Sequence, residues 1–233
     1  MNMMEKNIVA TIQTIGVTEA DYDTVKFTGV IRVLEKNKEK AVQSLTDKVK
    51  AFKETLNTLI DKGFVLVPNS LKSTQTVAEH QVYDRKKQVY VSEGYVGTYQ
   101  VSFMSEKVEL ASEVYLTLLT VNSLTLNAPV FLFKNLDALH EVALKDAHFK
   151  VMDRLAKECA VLNVNKDSLK IHSWNARYDE SNLAKRAPSE GAIGMRAMAA
   201  PHVNDYQEDD TLNLEPGKGQ INVHLGISFT YKE

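Results

Sequence analysis

The sequence contains little cysteine, which limits the covalent chemistry open to it. Cys159 is the one cysteine among 233 residues, so no internal disulfide can form. It falls on an apolar helical stripe, and free cysteine is among the most buried residue types. A nucleophilic role would instead require an electropositive, partly exposed setting and a nearby base. We therefore expect Cys159 to be a buried structural thiol.

Long apolar runs and an excess of charge are also missing. No stretch of ~18 consecutive apolar residues occurs, which argues against a spanning helix. The 28 Lys and Arg residues nearly balance 30 Asp and Glu, so the net charge of −2 provides no field to hold nucleic acid or an anionic membrane. Residues 1–7 contain no apolar leader. We therefore expect a cytoplasmic protein with neither nucleic acid nor membrane as a partner.

The composition is that of an ordinary globular protein. Hydrophobic residues make up 44% of the chain and charged residues 25%, which is too apolar for a disordered chain. A chain of 233 residues can bury one sizeable core and is short for two full-sized domains. We expect a single domain over residues 1–233.

Apolar periodicity predicts hairpins interspersed with helices. Alternation with a period of two predicts strands, the first two paired around a turn at residues 18–22, and apolar residues three or four apart predict helices. The predicted strands lie at residues 8–17, 23–34, 70–83, 88–105, 124–133, 169–178 and 220–231, and the helices at 37–63, 106–121 and 136–162. This order favours an α+β fold with an antiparallel or mixed β-sheet and long amphipathic helices packed on one face.

Periodicity is lost between Asp179 and Gly219, where Pro188, Pro201 and Pro216 interrupt the chain. We interpret residues 179–219 as a long, mostly irregular arm that wraps a neighbouring molecule. It offers scattered apolar side chains, which suit a partner's groove better than a core. These apolar residues include Ile193, Met195, Met198 and Val203.

Three motifs carry a family resemblance. The predicted long helix contains Ala143-Leu144-Lys145-Asp146-Ala147 followed by Lys150; residues 94–102 read Gly-Tyr-Val-Gly-Thr-Tyr-Gln-Val-Ser; and Glu215-Pro216-Gly217 precedes the last alternating strand. Together, over residues 8–231, they resemble the SIMPL-domain family. The resemblance implies an α+β fold and, for some members, ring-like or cage-like homo-oligomers, and it implies no established catalytic residues.

Two departures from the family pattern stand out. Val151 occupies a position where the family favours Ala, and Met1 to Met4 show no trace of the signal peptide that most bacterial members carry. The family's periplasmic address therefore does not carry over to this chain.

The sequence offers no catalytic, metal or cofactor constellation. His140 and His148 lie eight residues apart on one predicted helix, about 12 Å along its axis, and cannot share a metal ion. The glycine-rich residues 190–194 and the acidic residues 208–210 are interpreted as loop. Without a nucleophile elbow or a dinucleotide fingerprint, we expect a non-enzymatic protein that needs no cofactor.

Aromatic and histidine side chains on predicted strands are the candidate ligand or interface residues. Trp174 and Tyr178 share parity with Lys170 and His172, and His224 should point away from Val223 and Leu225. Such a face favours a sheet or subunit contact over stacking on nucleic acid, given the net negative charge. The full candidate set is Tyr95, Tyr99, His172, Trp174, Tyr178 and His224.

Two functions from different classes follow. The first is a homo-oligomeric structural or interaction protein, suggested by the resemblance and the arm. The second is a small-molecule binding or sequestering module, with a pocket between the sheet and the arm or between subunits. Light scattering would separate them, since a binding module need not assemble.

Overall fold

The computed structural model describes residues 7–179, 184–186, 214 and 216–232. Within these ranges the backbone forms nine strands and three α-helices. The strands are β1 (Asn7–Asp21), β2 (Thr24–Glu35), β3 (Lys72–Asp84), β4 (Val89–Ser105), β5 (Leu124–Leu126), β6 (Val130–Leu132), β7 (Lys170–Asp179), β8 (Ala184–Arg186) and β9 (Lys218–Lys232). The helices are α1 (Lys38–Asp61), α2 (Ala111–Leu119) and α3 (Leu136–Leu162).

Contacts divide the described residues into two compact units. Unit 1 comprises the described residues of Met1–Asp21, Phe133–Ala184 and Gly217–Glu233. Unit 2 comprises those of Tyr22–Leu132 and Lys185–Pro216. Each unit has its own sheet and its own long helix. The expected α+β class with antiparallel sheets is confirmed, while the assignment of residues 1–233 to a single domain stays a prediction.

Unit 1 is a three-stranded antiparallel sheet covered by α3. The strand order is β1-β9-β7, so β9 lies in the centre. Alternate residues of β9 from Ile221 to Phe229 are buried, as their period-two pattern predicted. The helix contributes the opposing apolar stripe, formed by Ala143, Ala147, Val151, Leu155 and Cys159.

Unit 2 holds the larger sheet. Its strands run in the order β3-β4-β2-β6-β8, and β5 also pairs with β2. The inner face is aromatic: Phe27 stacks on Phe103 with ring centroids 5.2 Å apart, and Phe64 meets both rings edge-on. Helix α1 lies against β2 and β4 and closes this core.

The two long helices lie where the sequence predicted them, and the observed ends of α1 differ from the predicted residues 37–63 by no more than two positions. Asn37 and Asn135 each accept a hydrogen bond from a backbone N–H three residues on, at Lys40 and Ala138. Helix α1 ends just before Gly63, where φ is +100°. The bounds predicted for the third helix, residues 136–162, are confirmed.

The predicted hairpin of the first two strands is wrong. Strand β1 continues through the expected turn to Asp21 and pairs along its whole length with β9, whereas β2 pairs with β4. Alternation reveals which residues of a strand are buried, but it carries no information about the partner strand. The partner of β1 lies at the other end of the chain.

Two other predicted elements are broken. The strand expected at residues 124–133 is split into β5 and β6, which flank Pro129, a residue that cannot donate to a sheet ladder. The helix expected at 106–121 begins as a 3₁₀ turn at Val108–Leu110 and continues as the shorter α2. Apolar spacing alone cannot distinguish these two helix types.

The ends of the predicted arm are ordered. Strand β7 reaches Asp179, β8 follows at Ala184–Arg186, and β9 already begins at Lys218. Leu214 is only 4% exposed, and its N–H donates to Ser112 Oγ over 2.9 Å within unit 2. The rest of the arm, including Ile193, Met195, Met198 and Val203, lies outside the described residues, as do the loop assignments at 190–194 and 208–210.

Candidate functional site

The three-stranded sheet of unit 1 carries four of the six candidate residues and has two different surfaces. We call the side packed against α3 the helix face and the opposite side the outer face. The helix face contains the buried Val223, Leu225 and Ile227. The outer face contains His224 and Gly226, which alternate with them along β9.

Helix α3 sits unusually close to β1. A Cβ atom added at Gly16 would lie 1.9 Å from the Ala143 carbonyl oxygen and 2.7 Å from Ala147 Cβ. Ala143 and Ala147 are both fully buried. The Ala-x-x-x-Ala spacing of the family-like motif therefore lets the backbone of a strand approach the backbone of a helix.

The charged residues of the same motif hold β1 from the side. Asp146 Oδ2 accepts a hydrogen bond from Val17 N–H over 2.9 Å and lies 2.6 Å from Lys150 Nζ. Lys150 Nζ also donates to the Ile15 carbonyl over 3.1 Å. The hydrogen bond from Lys150, together with that from Val17 N–H, lowers the pKa of Asp146.

These bonds occupy one edge of the sheet. Backbone groups of alternate strand residues point to the same side, so Ile15 and Val17 present theirs together. A further strand beside β1 would need these same groups, and the Asp146–Lys150 pair already binds them. Charged side chains that cover an edge strand prevent it from pairing with strands of other molecules.

The opposite edge strand, β7, carries exposed apolar side chains. Ile171 is 60% exposed, Trp174 66% and Tyr178 43%. Their partners across the ladder are Phe229, Ile227 and Val223, which are buried on the helix face. The three exposed side chains therefore extend the apolar helix face beyond the area that α3 covers.

The predicted parity of β7 is partly wrong because of a β-bulge. The register with β9 shifts between Ile171 and Ser173, at His172. Trp174 and Tyr178 do share a face, as predicted, but Lys170 falls on the other side, and Ile171 replaces it on the aromatic face. A bulge inserts one residue and reverses the parity of everything before it. The face is consequently more apolar than expected.

An apolar groove runs between β7 and α3. It has a volume of about 420 Å³ and is lined by Leu144, Lys145, His148, Ile171, Trp174, Leu225 and Ile227. Outside the groove, the His140 ring of α3 lies 4.6 Å from the Tyr178 ring of β7, centroid to centroid. This contact places Tyr178 against the helix while leaving part of its ring exposed.

The outer face forms a polar depression of about 740 Å³. Three ladder rows line it, each with one residue from β1, β9 and β7. The rows are Ile15–His224–Arg177, Gln13–Gly226–Asn175 and Thr11–Ser228–Ser173. Because Gly226 in the middle row has no side chain, the depression is deepest at its centre. Amide, hydroxyl and cationic groups of the neighbouring residues surround it.

The structure does not bring all six candidate residues together. His224 lies on the outer face, as predicted, and His172 is at the bulge of β7. Tyr95 and Tyr99 belong to unit 2, where Tyr99 is only 5% exposed and packs near the Phe52 ring. The Tyr99 side chain thus forms part of a core and not of a surface. Cys159 is buried, as expected.

The part of the chain that the structure describes contains neither a candidate metal site nor a helix that could span a membrane. There, no three His, Cys, Asp or Glu side chains gather in a way that could hold a metal ion. Similarly, none of the helices in that part combines the length and apolar character needed to cross a bilayer.

Sequence reasoning missed two features of this site. The family-like motif contains Asp146 and Lys150, but sequence reasoning did not indicate that they bind the backbone of β1. Nor did it identify the outer-face depression, although Gly226 among alternating apolar residues signals a gap on the polar side of the strand. Both features depend on which strands are neighbours.

Comparison with protein families identifies a match over most of the chain. The family model for SIMPL, described as a protein of unknown function (DUF541), matches residues 11–229. That range covers both units. Among curated proteins, none matches this chain.

Proposed function

Since the chain belongs to the SIMPL family, across nearly its whole length, we propose that it is a non-enzymatic structural or interaction protein that acts by assembling with copies of itself. The observation that carries this proposal is the exposed apolar row on β7. Large exposed apolar patches on soluble proteins mark interaction surfaces. Ile171, Trp174 and Tyr178 form such a row on an edge strand.

The composition of this row supports a protein partner. Tryptophan and tyrosine are enriched at the centres of protein interfaces, where each buries a large area and retains a polar atom for hydrogen bonding. Trp174 is the only tryptophan of the chain, and about two thirds of its surface is exposed. Exposing it has a free-energy cost in water that burial in an interface would remove.

Light scattering coupled to size-exclusion chromatography tests the proposal. We expect a mass that is a multiple of 26.1 kDa and that persists into the low micromolar range. A strict monomer across micromolar concentrations would contradict self-assembly.

A second function, binding of a small polar molecule, has its own supporting observation. The outer-face depression places Arg177 beside His224 and Asn175 beside Gly226 on adjacent ladder rows. Guanidinium, imidazole and amide groups around a shallow centre can bind a carboxylate or a similar anion. This site differs from the expected pocket between the sheet and the arm.

Native mass spectrometry of protein purified from its natural host tests this alternative. We expect a co-purifying compound that disappears in Arg177→Ala and persists in Lys170→Ala, which removes a cation from the same strand. Repeated absence of any added mass in the unmodified protein would count against the binding module.

A further inference from the structure

The two edges of the three-stranded sheet are unequal. At β1, the Asp146–Lys150 pair holds the backbone at Ile15 and Val17. At β7, among the described residues, the ladder ends: the sheet order is β1-β9-β7. A strand added to this sheet would therefore join β7 more readily than β1.

This inequality restricts the symmetry of any assembly through strand addition. Joining β7 of one copy to β1 of the next would produce an open chain of molecules, whereas joining β7 to β7 closes after two copies. The pair that binds the β1 edge disfavours the open arrangement. What remains is an isologous contact in which β7 meets its own copy.

The sequence of β7 is self-complementary in one antiparallel register. If Ala176 lies opposite Ala176 of a second copy, Trp174 falls opposite the second Tyr178 and Asn175 opposite the second Arg177. The residues paired in this register, Trp174 to Tyr178, belong to the regular, bulge-free part of the strand. It also keeps the helix faces of both copies on the same side of the joined sheet, because opposite residues share a face.

The side chains suit their positions in that register. Two Trp–Tyr pairs, each a cross-strand aromatic contact, flank the small Ala176 at the two-fold axis on the helix face. On the outer face, each Arg177 guanidinium would meet the Asn175 side-chain carbonyl, which can accept from it. Slipping the register by two residues would place Trp174 opposite Ala176 and lose both aromatic pairs.

We infer that β7 pairs with β7 of a second copy, antiparallel about Ala176, and joins two three-stranded sheets into one continuous six-stranded sheet. The partner is thus a second copy of this chain, and the contact is the smallest repeating step of the assembly. This inference rests on the proposed self-assembly and specifies where it occurs.

Register-specific cross-linking tests the inference in the full-length protein. Two variants, Asn175→Cys and Arg177→Cys, are prepared separately and then co-refolded under oxidising conditions. Opposite residues in an antiparallel pair have Cα atoms about 4.5–5.5 Å apart, which is within the range that a disulfide spans. We expect a disulfide-linked dimer on non-reducing gels from the mixture, and much less from either variant alone.

The results distinguish the β7 pairing register from self-assembly in general. The native chain, which retains the buried Cys159, is the control for cross-links through that thiol. If scattering shows an oligomer but the mixture forms no heterodimeric cross-link, the β7 register is wrong while self-assembly stands. If each variant alone cross-links as well as the mixture, the register about Ala176 is likewise wrong. A monomer in light scattering would contradict both the β7 register and the proposed self-assembly.

Discussion

Gly16 shows how a single residue fixes the distance between a strand and a helix. A methyl group at this position would collide with the backbone of α3 at Ala143 and Ala147. Because neither backbone can move without disturbing the core of unit 1, we expect Gly16→Ala to lower the free energy of unfolding by about 1–3 kcal/mol, the usual cost of overpacking. Urea denaturation followed by circular dichroism measures it.

Gly226 supplies the matched control for that prediction. It also lies in the three-stranded sheet, but an added Cβ there would meet only Gln13 Cγ, at 3.6 Å, an ordinary contact distance. Gly226→Ala should leave the denaturation midpoint nearly unchanged. Equal losses in the two variants would show that glycine itself, and not the close approach to α3, accounts for the effect.

Asp146 should make stability dependent on pH. Its folded pKa is lowered, chiefly by the hydrogen bond from Lys150 and then by Val17 N–H. Because the folded pKa is lowered, the ionised Asp146 carboxylate stabilises the fold at pH values above its unfolded pKa, which is about 3.9 for Asp. This stabilisation is lost as the pH falls through the folded pKa. We expect Asp146→Asn to destabilise the protein at pH 7 and to have little effect well below pH 4.

Thermal unfolding at pH 7 and in acid measures this difference. The control is Asp153→Asn on the same helix, where Asp153 lies 2.6 Å from Lys157 but has a half-exposed side chain. Both residues of that pair belong to α3, so its removal should lower the free energy of unfolding only slightly, as is usual for exposed ion pairs. If Asp153→Asn reproduced the pH-dependent loss, the bond to the β1 backbone would not be its source.

At the scale of the element, β7 is the strand whose side chains should govern assembly. Replacing Trp174 by Lys puts a charge into the exposed apolar row, and buried unpaired charges are strongly unfavourable. We expect the dissociation constant of the oligomer to rise by about tenfold or more, the effect of losing an aromatic hot spot. Analytical ultracentrifugation over a dilution series measures this constant.

Phe149→Lys is the control for the β7 variant. Phe149 belongs to the same unit and is 72% exposed on α3, yet it does not line the groove beside β7. Its replacement should change the dissociation constant little. Similar weakening by both variants would indicate a general effect of added positive charge.

The elements themselves were largely predictable, while their pairing was not. The apolar stripe predicted the bounds of α3 because helical period is a local property. The β1–β9 ladder joins residues such as Thr11 and Ser228, whose side chains are 2.9 Å apart although 217 positions separate them. Local sequence contains no signal for such a pairing. The bulge at His172 was missed for the same reason.

At the scale of the whole molecule, the arm between β7 and β9 should matter more for assembly than for folding. Replacing Pro188 to Asp210 with a short Gly-Ser linker leaves β8 in place, together with Leu214, which is buried in unit 2. We expect a cooperative thermal transition close to that of the native chain and a smaller or more easily diluted oligomer.

Calorimetry and light scattering on the same sample test this prediction. A shortened protein that fails to unfold cooperatively would mean that the replaced residues belong to a core. A shortened protein with an unchanged oligomer would show that they contribute nothing to assembly.

The position of Trp174 also gives the molecule an optical reporter of its own. Indole emission shifts to shorter wavelength when the ring leaves water, and this chain has one tryptophan, on β7 and two-thirds exposed. Fluorescence excited selectively at the indole therefore comes from one known place in unit 1. Without any attached dye, the emission maximum measured during dilution will report the solvent exposure of β7.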